Sequence, residues 1–154
     1  MTNQVKLDAA DRRLLRQLQC DASLPLVDLA ESVNMSRSAC WRRLQKLRES
    51  DVTRQQVVLL NPSALGLSLT VFISVRTNQH NADWSRQFRE VIDRIPGILE
   101  AYRMGGDVDY LLKVVVADMP DYDRLYQELI SADLFDVSAG FVMEELKNTT
   151  ALPV

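Results

Sequence analysis

A chain of 154 residues, 47% hydrophobic and 25% charged, is long enough for one large or two small domains, each with a buried core. It contains no run of about 18 apolar residues, which excludes a membrane-spanning helix. Its opening Met1–Lys6 lacks the apolar stretch of a secretory signal, so a cytoplasmic protein with reduced thiols at Cys20 and Cys40 is expected. The net charge of -3 hides an asymmetry: residues 1–60 carry ten Lys/Arg against seven Asp/Glu, and residues 61–154 carry eight against fourteen. A front at +3 and a rear at -6 suit a chain whose first part meets phosphate, although scattered surface charge produces such splits too.

Asp8 precedes Leu14, Leu15 and Leu18, which share one helical face, and the spacing predicts a first helix over about 8–20. Pro25 stands where a helix can start without losing a hydrogen bond, and Val27, Leu29, Ala30 and Val33 give a short second helix its apolar face. Asn34-Met35 forms a tight turn, because Asn tolerates the left-handed backbone that ends a helix sharply. Ser36 is a good N-cap for a third helix over 36–48. Helix, tight turn, helix is the pattern of a helix-turn-helix.

On the third helix Cys40, Leu44 and Leu47 fall on one stripe and face a core. The opposite arc holds Ser38, Arg42, Gln45 and Lys46, with Arg37 and Trp41 beside it and Ser36 at its start. These seven residues are the candidate contacts to double-stranded DNA. Cations neutralise phosphates, while Arg, Gln and Ser can reach base edges in the major groove. The competing reading is that the cations merely solvate a helix; their place on the second helix of a tight pair favours DNA. Trp41 fits either a position against the sugar-phosphate chain or a wedge between helices. Cys40 reads as a core residue and Cys20 lies at a helix end, and no residues stand at metal-ligand spacing.

Val52–Leu60 reads as an extended linker strand, broken at Asn61-Pro62. Beyond Gly66 the pattern predicts a strand over 67–77, a helix over 82–95, strands over 98–104 and 110–117, a helix over 120–132 and a last strand over 137–146. The order β-α-β-β-α-β is ferredoxin-like, an antiparallel sheet with helices on one face, which makes the chain α+β. The expected organisation is a DNA-binding domain over 1–51, the linker over 52–66, and a ligand-binding and oligomerising domain over 67–154. The second sheet face offers Phe72 or Val71 and Val114 or Val115, depending on register, and an uncovered apolar face calls for a second copy.

Met104-Gly105-Gly106-Asp107-Val108-Asp109 is the candidate ligand site. Glycines let a ligand approach the backbone, and two carboxylates at i and i+2 point to one side of an extended chain, a pairing that suits a zwitterionic amino acid. Gly-Gly-Asp is equally an ordinary hairpin turn. An enzyme reading finds little support: His80 lies in the polar loop Asn78–Asn81, neither cysteine has a catalytic partner, and no catalytic residue is assigned. A ligand-insensitive architectural DNA-binding protein is the remaining alternative.

Leu29-Ala30, Met35-Ser36, Trp41–Leu47, Leu65-Gly66, Gly106–Leu112 and the tail Lys147–Pro153 together resemble the Lrp/AsnC family of regulators, across nearly the whole chain. The resemblance implies a winged helix-turn-helix joined to a ferredoxin-like domain that dimerises, often onward to tetramers or octamers. It also implies an amino-acid effector bound at a subunit interface and no other cofactor. The family's Gly-Asp-Tyr-Asp loop maps to Gly106, Asp107 and Asp109, with Val108 where an aromatic is usual. Asp51-Val52-Thr53 departs from the commoner Gly-Val/Ile-Ile. Ala39-Cys40-Trp41 and the Thr-Thr-Ala-Leu-Pro tail are most similar to a subgroup activating amino-acid catabolism, including cysteine-detoxification regulators, which makes cysteine the first effector to test.

Overall fold

The structure, a computed structural model, describes residues 5–154 and divides into two compact units, one of residues 5–59 with 147–154 and one of residues 60–146. The first unit holds α1 (Ala9–Cys20), α2 (Leu26–Ser32) and α3 (Arg37–Glu49). Asp8 and Asp11 start α1 with a reciprocal capping box: each carboxylate accepts the other residue's backbone N–H, at 2.7 and 3.2 Å. Two identical devices end α2 and α3. After α2, Asn34 takes φ +55°, its N–H donates to Glu31 O and that of Met35 to Ala30 O. After α3, Asp51 takes φ +54°, its N–H donates to Arg48 O and that of Val52 to Leu47 O. Both are Schellman closures, and the residue after each left-handed position, Met35 or Val52, packs onto the same core. That core is built from Leu14, Leu15, Leu29, Ala30, Val33, Cys40, Leu44 and Leu47.

The linker differs from expectation. Residues 52–60 form no strand, because no strand among the described residues pairs with them, and Val57, Val58, Leu59 and Leu60 are exposed. The tail also departs from the expected division, since 147–154 belongs to the helical unit. There the Gln19 side chain accepts the Leu152 N–H at 2.6 Å and donates to Leu152 O at 3.1 Å, while Arg16 Nε donates to Val154 O.

The second unit contains β1 (Leu69–Arg76), α4 (Ala82–Arg94), β2 (Ile98–Arg103), β3 (Tyr110–Val116), α5 (Met119–Leu129) and β4 (Asp136–Phe141). The sheet order is β2-β3-β1-β4 with every pairing antiparallel, the ferredoxin-like topology expected. Register settles which residues face the helices: Val71, Ile73 and Val75 on β1, and Leu112, Val114 and Val116 on β3. Phe72 and Val115 therefore take the other face, where Phe72 is partly exposed beside Tyr102, Glu100 and Lys113. On the helical side Trp84 stacks on Phe88, and Tyr110 meets Phe88 edge-on. The Trp84 indole N–H donates to Ala132 O at 2.9 Å, so this buried ring leaves no donor unpaired. The last strand stops at Phe141, opposite Val71 and short of the expected 146, and one further bond from the Val142 N–H to Thr70 O closes the ladder.

Candidate nucleic-acid interface and effector pocket

The packing of α3 sorts its charges into two kinds. Arg43 points back at the α1 N-terminus, where its guanidinium bonds Asp8 at 2.8 Å and Asp11 at 2.6 Å. Asp11 is 2% exposed, so this ion pair is a structural clamp between the first and third helices. The Asp11 backbone N–H, followed by the Arg43 guanidinium, holds the Asp8 carboxyl down to about 2. Arg37, Arg42 and Lys46 form no ion pair among the described residues and stand exposed on the outward side. Ser38 and Trp41 join them there, with Gln45 half-buried. The Ser36 hydroxyl is engaged as the N-cap, accepting the Ala39 N–H at 3.3 Å and sharing a bond with Ser38 Oγ. Cys40 is buried in the core, and its desolvation pushes the thiol up from its ordinary value. Cys20 is exposed.

In the second unit, Met104, Gly105, Gly106 and Asp107 form the exposed turn between β2 and β3, closed by the Met104 N–H donating to Asp109 O at 2.8 Å. Gly106 sits at φ +123°, so the segment is a turn rather than an extended strand. Asp109 instead turns inward, accepting the Thr77 N–H at 2.9 Å. It lines a polar cavity of about 210 Å³ with Arg103, Gln79, His80 and Asn81. His80 is exposed, as its polar loop predicts, and Arg103 stands at the end of β2. Neither is marked by a motif; both reach the cavity because β1 and β2 end at the same edge of the unit as Asp109. Arg103 has no ion-pair partner among the described residues, so the cavity offers one free guanidinium and one carboxylate.

A basic recognition-type helix on one unit and a polar ligand-sized cavity on a ferredoxin-like unit define a helix-turn-helix regulator with a ligand-binding domain. Residues 7–48 match the AsnC-type helix-turn-helix domain and residues 70–152 the Lrp/AsnC ligand binding domain. The chain is 45% identical to the glutamate uptake regulatory protein of Zymomonas mobilis, over 97% of this chain and 92% of that protein. It is 42% identical to the DNA-binding transcriptional activator DecR of Escherichia coli, over 96% and 99%. A transcriptional regulator from Neisseria meningitidis, solved as a complex with L-Met, superposes with a TM-score of 0.91 at 33% identity, over 96% of this chain and 97% of that one. The chain belongs to the Lrp/AsnC family of transcriptional regulators, and its α+β fold is the family's.

Proposed function

We propose that this regulator binds specific duplex sequences through α3, with Arg37, Ser38, Trp41, Arg42, Gln45 and Lys46 facing the major groove and Ser36 fixing the helix start. The carrying observation is the division among neighbouring cations: Arg43 is consumed by Asp8 and Asp11, while Arg42 and Lys46 are left without partners on the exposed side. Arg42→Ala weakens binding by about 1–3 kcal/mol if it reads a base, and Lys46→Ala lowers the salt slope by about one if it meets a phosphate. Two variants that bind like the parent refute the assignment.

The effector is an amino acid held at Met104–Asp109 and the adjoining cavity, with Asp109 taking the ammonium group. The relative solved with L-Met supports the class. Cysteine is tested first, and the full set of twenty follows in a thermal-melting panel under reducing conditions. A ligand at about a hundred times its dissociation constant adds roughly 2.7 kcal/mol per site. Asp109→Asn keeps an acceptor for the Thr77 N–H but removes the charge, so it retains the fold and DNA binding and loses the stabilisation. A panel with no stabiliser supports the ligand-insensitive architectural role instead.

The protein works as a homodimer able to build tetramers or octamers, in the cytoplasm and without a catalytic step. The exposed run Val57–Leu60 and the open sheet face at Phe72 support self-association, and the relatives named as regulators support the lack of catalysis.

A further inference from the structure

Trp41 is 52% exposed and takes no part in the core of the helical unit, which removes the wedge reading. It lies one turn into α3, on the stripe that continues through Gln45. With Leu26, Ser36, Arg37 and Ser38 it lines an open hollow of about 710 Å³. The hollow takes its apolar surface from the indole and Leu26, and its two hydroxyls are engaged with each other. Ser36 Oγ is committed to the Ala39 N–H and to Ser38 Oγ. No acidic side chain lines it, and its one lining cation, Arg37, has no ion-pair partner among the described residues. Its occupant must therefore be apolar at the centre and anionic around the rim. A major groove meets both conditions at one place, the thymine 5-methyl group between two phosphate chains, and the first turns of a recognition helix lie closest to base edges.

We propose that the Trp41–Leu26 hollow is a thymine-methyl reader, and that it sets a required T·A pair in the operator by apolar contact. The inference rests on the DNA-binding reading of α3 and adds the base that this part of the helix selects. Apolar readout of this kind does not depend on salt, unlike the phosphate contacts of Lys46.

The test begins with a duplex enriched by the full-length protein from a randomised pool, then rebuilt with deoxyuridine in place of each thymidine in turn. Uracil pairs identically and lacks only the methyl group. At one thymine per half-site the wild-type protein loses about fourfold in affinity, the factor for burying one methyl. Trp41→Ala binds the dT and dU duplexes equally with an unchanged salt slope, and Trp41→Phe restores part of the discrimination. An enriched sequence bound equally well with uracil at every position overturns the thymine reader while leaving α3 as the DNA-binding element. Discrimination that persists in Trp41→Ala overturns it as well. A pool from which no sequence is enriched overturns sequence-specific binding by α3, and this inference with it.

Discussion

Asp51 holds φ +54° at the end of α3, a conformation in which a Cβ is strained and a negative charge faces the carbonyl end of the helix. Sequence comparison marked this position as a departure from glycine, and the structure shows that Asp fills the same left-handed role at a cost. Asp51→Gly therefore stabilises the helical unit by about 0.5–1 kcal/mol, read by chemical denaturation. Arg43 argues in the opposite direction. Its removal leaves the buried Asp11 carboxylate with the Asp8 backbone N–H but no cation. Arg43→Ala costs about 1.5–3 kcal/mol of stability, the scale of a hydrogen bond to a charged group, whereas Arg42→Ala leaves the melt unchanged. Asp8 adds a pH signature. Its carboxyl is held at about 2 in the folded chain against an ordinary 3.8. The stability it confers is complete above 3.8 and drains away as the pH falls toward 2. The helical unit thus melts progressively lower across that window, and Asp8→Asn flattens this part of the profile.

At the scale of elements, most boundaries were legible because local rules and packing agree. The Ser36 cap, the left-handed Asn34 and the Cys40-Leu44-Leu47 stripe stand where the sequence places them. In the second unit the alternation of β1 and β3 and the apolar faces of α4 and α5 did the same. What failed depended on partners distant in sequence. Residues 52–60 carry a strand composition but join no ladder among the described residues, and β4 closes at Phe141 although its pattern runs on to 146. The tail's return to α1 rests on Gln19 meeting a backbone 133 residues away, which no periodicity records. Gln19→Ala should lower the stability of the helical unit by about 1 kcal/mol for the lost hydrogen bonds. Gly97, just beyond α4, lets the chain pass close beneath α5: an added Cβ would lie 2.9 Å from Leu125 Cδ1 and 3.2 Å from Val115 O. Gly97→Ala costs about 1–3 kcal/mol by overpacking. At the cavity, Asp109 belongs to a motif the sequence singles out, while Arg103 and His80 reach the same place through the sheet topology alone.

The whole molecule carries a charge-sorted helix on one unit and a polar cavity of about 210 Å³ on the other. The proposed DNA contact of α3 and the proposed effector site of the cavity are separate, and neither requires the other. Their coupling is the central claim, and linkage makes it measurable, since an effector that favours the DNA-bound protein must itself bind more tightly in the presence of DNA. The most direct measurement is the affinity of the full-length protein for its selected duplex, titrated alone and with each of the twenty amino acids, cysteine first. The account predicts that one amino acid, or a small chemically related group, shifts the dissociation constant by about 5–150-fold, and that Asp109→Asn abolishes the shift while leaving unliganded affinity intact. An affinity unchanged across all twenty, or a shift that survives in Asp109→Asn, would contradict it.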